Sequence, residues 1–144
     1  MEPEIDILAG MLHKEKCSCV IFSRGNYICC RERGVKDLLH ILRSDKNILS
    51  GAMVADKVVG KGAAALMILG GVKEIYADVI SRPALRLLYT VSVRVTYGTC
   101  VDNIIKRTGT GICPVEKLCR DCDTAIDCLP LIEKFVKEIN TSSK

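Results

Sequence analysis

Between Glu4 and Leu12 the apolar residues Ile5, Leu8, Ala9 and Leu12 recur at helical spacing behind Pro3, a residue suited to a first helical turn, and predict a short leading helix. The β-prone runs Cys17-Ser18-Cys19-Val20-Ile21-Phe22 and Tyr27-Ile28-Cys29-Cys30 flank Gly25-Asn26, a dipeptide favoured in tight turns, and predict a β-hairpin. Val35, Leu38, Leu39 and Leu42 return to the helical period and predict a surface helix that ends in the polar stretch Ser44 to Asn47.

The middle of the chain is more continuously apolar. Ala52 to Ala55 reads as a short extended segment, Asp56 as a helix cap, and Val58 to Leu69 as a buried helix stopped by Gly70-Gly71. Glycine inside a helix costs about 1 kcal/mol relative to alanine, so Gly60 and Gly62 point to a backbone pressed closely against a neighbour or a ligand. Lys73 to Ile80 reads as a strand and Pro83 to Leu88 as a short helix. Val93, Val95 and Tyr97 read as the inward face of a further strand. After Val101 to Lys106 comes the loop Thr108-Gly109-Thr110-Gly111, then a helix from Pro114, and a last helix near Leu131 to Ile139 before a frayed Asn140 to Lys144. Strands alternating with helices predict a layered α/β domain with a mixed sheet. No repeat or linker interrupts residues 1–144, which read as one domain.

Composition narrows the function classes. Twenty-one Lys and Arg against seventeen Asp and Glu leave a formal charge of +4, little for a phosphate-backbone reader, so no nucleic-acid partner is expected. The apolar run Ala63 to Leu69 falls well short of the roughly 20 residues of a bilayer span, so no membrane partner is expected either. The acidic start Met1-Glu2-Pro3-Glu4 does not resemble a secretory signal, which predicts a cytoplasmic protein. In a reducing compartment the nine cysteines read as thiols or ligands rather than as a disulfide framework.

Four stretches carry a resemblance: Val54 to Ala65, Gly70 to Ala77, Ile80 to Ala84, and Gly109 to Lys117. Together they resemble a family of bacterial and archaeal proteins of unknown function that is placed in the cytidine deaminase-like superfamily. The resemblance implies a three-layer α/β/α sandwich and a homodimer. Zinc deaminases place a His or Cys two residues before a catalytic Glu at one helix start, and Pro-Cys-x-x-Cys at the next. On the implied correspondence Ala55 stands at the first ligand and Lys57 at the Glu, while Pro83 is kept and Ala84 and Leu87 replace the cysteines. His40 is the only His or Cys between Cys30 and Cys100, so no shift of register restores the zinc set, and deamination through zinc is not expected.

What remains is a candidate pocket for a small anionic or nucleoside-like ligand, with no cofactor. Asp56, Lys57 and Lys61 are its first contacts, the two lysines being expected on one face of the buried helix. Facing them, Cys113 ahead of Pro114 is expected to feel a helix N-terminus, and Glu116 stands where a capping-box acid would lie. The glycine-flanked loop lacks the Lys-Ser/Thr ending of a P-loop. A second reading takes Cys113, Cys119, Cys122 and Cys128, with five, two and five residues between them, as thiolate ligands for zinc or an iron–sulfur cluster, or as redox thiols. A third is an interaction module without pocket chemistry.

Overall fold

The computed structural model describes residues 2–31, 35–106, 109 and 111–142. The leading helix α1 (Ile5–Lys14) is followed by the hairpin β1 (Cys19–Ser23) and β2 (Asn26–Cys30). Its turn lies one residue earlier than the dipeptide suggests: Arg24 and Gly25 take the positive φ values of 51° and 80°, and Asn26 already pairs with Ser23. Two positive φ values in a two-residue loop match the twist of the flanking strands. Helices α2 (Lys36–Ser44) and α3 (Lys46–Leu49) lead to β3 (Met53–Val59) and α4 (Lys61–Gly70). Then come β4 (Glu74–Ser81), α5 (Arg82–Leu88), β5 (Arg94–Val101), α6 (Pro114–Leu118) and α7 (Ala125–Ser142).

The five strands form one mixed sheet in the order β2-β1-β3-β4-β5. β1 runs antiparallel to both neighbours, and β3, β4 and β5 are parallel. Side chains alternate across it: Cys19, Ile21, Val54, Ile75 and Ala77 enter a large core shared with helices α2 to α7. Val20, Phe22, Met53, Ala55 and Tyr76 enter a small core closed by Leu8 and Leu12 of α1. Helices on both faces make an α/β sandwich with unequal layers. Midway along the parallel strands the alternation slips by one residue, so that Val59 and Ile80 rejoin the large core three positions after Asp56 and Ala77. Gly98 stands level with the slip; a Cβ there would lie 2.9 Å from the Asp78 carbonyl oxygen.

Several sequence expectations are corrected. β3 continues through Asp56 and Lys57 to Val59, so Asp56 caps no helix and Lys57 shares no helix face with Lys61. Tyr97 shares the sheet face of Val95, level with Ala77, but stands 40% exposed on the edge strand rather than buried. Although two apart in one β-prone run, Cys17 belongs to the small core and Cys19 to the large one. Cys17 is also disulfide-bonded to Cys29, against the expectation that all nine cysteines are thiols or ligands. The last helix begins at Ala125 rather than near Leu131, carries Pro130 within it and takes in Asn140 to Ser142. Thr108 and Thr110 of the glycine-flanked loop, with Ser143 and Lys144 of the tail, lie outside the described residues. No helix among the described residues is long and apolar enough to cross a membrane.

Candidate functional site

In an open α/β sheet the carboxyl ends of parallel strands are where loops and helix starts converge. Here Val59, Ser81 and Val101 end β3, β4 and β5, and a single buried carboxylate ties together the segments that leave these three ends. Glu116 Oε1 accepts hydrogen bonds from the Lys61 backbone N–H at 2.8 Å and from Ser81 Oγ at 3.0 Å. Glu116 Oε2 accepts from the Ile104 N–H at 2.5 Å. Ser81 Oγ in turn accepts from the Ala84 N–H at 3.2 Å and so caps α5. Gly60, the N-cap of α4, offers no side chain, and Glu116 takes its place from another helix. The capping-box assignment is therefore corrected: Glu116 serves α4 rather than its own helix, and the Cys113 N–H donates to the Ile104 carbonyl at 2.8 Å.

Lys61 is buried at the start of α4, and its ammonium donates to the Arg120 carbonyl at 3.1 Å and to the Cys122 carbonyl. These bonds tie α4 to the loop between α6 and α7. Between this loop, α5 and the segment after β5 lies a cleft of about 740 Å³, within the usual range of small-molecule sites. Lys61 forms part of its floor, and Arg82, Arg86 and Arg120 bring three guanidinium groups to its walls. Asp102, Asp121 and Asp123 bring three carboxylates, while Thr90 and Asn103 add neutral polar groups. Arg82 Nε donates to Asp102 Oδ1 at 2.8 Å in an exposed pair. Arg86 and Arg120 make no ion pair among the described residues.

Of the five residues expected to contact a ligand, only Lys61 lines the cleft. Glu116 lies beneath it as a structural clamp, and Cys113 is half-buried against the large core. Lys57 is exposed on β3. Asp56 is buried on the core face of that strand, where it accepts from the Val58 N–H at 3.3 Å and burial pushes its carboxyl up to about 7. Its cross-strand neighbour is Cys19, which pairs on the other side with Cys30. Arg82, Arg86 and Arg120 carry no sequence motif; Arg82 and Arg86, four apart around Pro83, offer the one local signal.

Three of the four C-terminal cysteines gather next to the cleft. Cys122 lines it, whereas Cys119 and Cys128 are fully buried. Hydrogen bonding from Cys128 holds the Cys119 thiol below its ordinary value, and the same contact pushes Cys128 well above. Burial pushes Cys122 up to about 11. Among the described residues no three His, Cys, Asp or Glu side chains converge to hold a metal ion.

The fold and the cleft define an α/β sandwich with a polar pocket at the carboxyl ends of its parallel strands. A family model described as "TM1506: Domain of unknown function (DUF1893)" matches residues 7–136, and the chain belongs to that family. It is similar to the crystal structure of a DUF1893 family protein (TM1506) from Thermotoga maritima, with 27% identity, a TM-score of 0.82 and 92% of each chain covered. No curated protein matches the chain.

Proposed function

We propose that this protein is a deaminase-like sandwich without the zinc chemistry, which binds a small anionic or nucleoside-like ligand in the cleft at the carboxyl ends of β4 and β5. The observation that carries the reading is the pair of guanidinium groups, Arg86 and Arg120, set on the walls of a 740 Å³ cleft with no carboxylate spent on either among the described residues. Arginine forks suit phosphate or carboxylate oxygens bidentately. Asp102, Asp121, Asn103 and Thr90 add acceptors and donors suited to the hydroxyl groups of a sugar.

The deaminase resemblance supports the placement rather than the reaction. A hairpin followed by β3-α4-β4-α5-β5 puts the starts of α4 and α5 beside the pocket. Those starts read Gly60-Lys61-Gly62 and Arg82-Pro83-Ala84, with neither His nor Cys. A zinc ion bound as in the deaminases lacks its donors there.

Thermal unfolding with inorganic phosphate, nucleoside monophosphates and sugar phosphates tests the reading. A ligand at a hundred times its Kd stabilises the fold by about 2.7 kcal/mol, which is a rise in Tm of several degrees, on the order of 5–10 °C. The rise is expected to vanish in Arg86→Ala/Arg120→Ala and to persist in Lys57→Ala, which lies outside the cleft. No rise with any compound, or an undiminished rise in the double variant, overturns the assignment.

A further inference from the structure

Cys17 and Cys29 are joined in a disulfide, whereas the other seven cysteines are free thiols. The bridged residues differ in access: Cys17 is 1% exposed in the small core, while Cys29 stands exposed on β2, an edge strand. Cys29 lies opposite Val20, a small-core residue, and so presents its sulfur on the α1 face of the sheet. All seven free thiols belong to the large core or pack against it. The sheet therefore stands between them and the bridge, and Cys17 is the one partner on the face of Cys29. The bridge also holds a turn that local preference opposes. Glu15 caps α1, and Lys16 after it takes a positive φ of 56°, a region disfavoured for a residue other than glycine. Cys17 follows directly and is anchored through its sulfur to β2. Arg31 Nη1 adds one exposed hydrogen bond to the Glu15 carbonyl, at 3.3 Å.

We infer that the Cys17–Cys29 bridge is a thiol–disulfide exchange site for a dithiol reductant, and that opening it loosens α1 from the sheet. In the first step one thiolate of the dithiol attacks Cys29 Sγ from the solvent side. A bond forms between Cys29 and the reductant, the Cys17–Cys29 bond breaks, and the Cys17 thiolate takes a proton. As a thiol, Cys17 has the Glu15 carbonyl oxygen as an acceptor 3.9 Å away. In the second step the other thiolate of the reductant attacks the reductant's own sulfur in the mixed disulfide. The reductant closes to a disulfide, and Cys29 leaves as a thiolate that solvent protonates. One dithiol is oxidised, one protein disulfide is reduced to two thiols, and two protons pass from the reductant to the protein through solvent. The β1–β2 ladder, from Cys19 opposite Cys30 to Ser23 opposite Asn26, keeps the hairpin in register when the bridge opens. The loss falls on the turn and on α1, the element that closes the small core. With no other cysteine on that face, oxidation returns the same pair.

Dithiothreitol, added to the folded full-length chain without denaturant, is the probe. Alkylation with peptide mapping reads the bridge, and amide hydrogen exchange reads α1. Reduction is expected to make Cys29 alkylatable while circular dichroism keeps the folded signal. The α1 amides are expected to exchange at least about tenfold faster, as a locally opened element does, while those of Ala64 to Met67 in α4 stay unchanged. Oxidised glutathione is expected to restore both the Cys17–Cys29 peptide and the slow exchange. Cys29→Ser, a change at an exposed position, is expected to exchange like the reduced wild type with and without dithiothreitol. The wild-type comparison decides the matter even where the variant fails to fold. Four results overturn the inference: a bridge that stays closed until the whole chain unfolds, a bridge that opens with no change in α1, Cys29 reoxidising onto another cysteine, or Cys17 and Cys29 remaining unpaired under oxidised glutathione.

Discussion

Two buried carboxylates behave in opposite ways because one is fully matched with donors and the other is not. Glu116 satisfies three donors from three different segments, the start of α4, the cap of α5 and the segment after β5. Glu116→Ala leaves those donors buried and unpaired at about 1–3 kcal/mol each, so a loss of at least about 3 kcal/mol is expected in denaturant unfolding. Asp56 draws only on the backbone N–H groups of Val58 and Lys57, and burial outweighs both. Its folded-state value of about 7 exceeds the ordinary 3.8, so the folded chain holds an extra proton between these values and stability falls as pH rises through that window. The span corresponds to about 4 kcal/mol, and Asp56→Asn is expected to flatten the pH profile between 4 and 7 and raise stability above 7. A profile that keeps its slope in the variant assigns the titration elsewhere. At this scale the sequence singled out Lys61 but not what anchors it. Its ammonium is fixed by carbonyls of Arg120 and Cys122, about sixty positions further along. The three arginines of the cleft look like any solvated surface charge until α5 and the loop before α7 are brought together.

The elements show the same divide between local and tertiary causes. Helices α1, α2 and α5 and strand β4 are legible because each buries one face or is bounded by a proline or glycine. The boundary between β3 and α4 is not legible, since both are largely buried and rich in small or apolar residues. Asp56 has the chemistry of a cap, yet the true cap is Gly60, completed by a carboxylate 55 positions beyond Lys61. The glycines of α4 reflect close packing instead. A Cβ on Gly62 would lie 2.3 Å from Val115 Cγ1, and one on Gly70 would lie 2.5 Å from Leu49 Cβ. Gly62→Ala is therefore expected to destabilise by about 1–3 kcal/mol through overpacking, in spite of the gain of about 1 kcal/mol in helix propensity. Gly10 in α1 meets nothing within 4 Å. There the propensity term acts alone, and Gly10→Ala is expected to stabilise by up to about 1 kcal/mol. Urea midpoints of the two variants that move in the same direction refute this contrast.

At the scale of the molecule the unequal layers set the small core apart from the cleft. The large core joins the sheet to six helices and carries the cleft on its margin, while the opposite face is closed by α1 alone among the described residues. α1 is held by Leu8 and Leu12, both fully buried, by partly buried Ile5 and Met11, and by His13 Nε2 at 2.7 Å from Asp78 Oδ1. An element with so few buried contacts opens at a lower free energy than the centre of the domain. In native-state hydrogen exchange, the α1 amides are expected to exchange well before those of Ala64 to Met67 in α4, which are buried on every side. Leu12→Ala removes a large side chain from the small core and is expected to cost about 2–5 kcal/mol. It touches neither the clamp at Glu116 nor the arginines across the sheet. The variant should accordingly unfold at a lower temperature while keeping in full the ligand-induced rise in Tm proposed for the cleft, because the cleft arginines are anchored to the other layer. Equal protection of α1 and α4, or a ligand response that disappears with Leu12, would mean that the two faces of the sheet open as one cooperative unit.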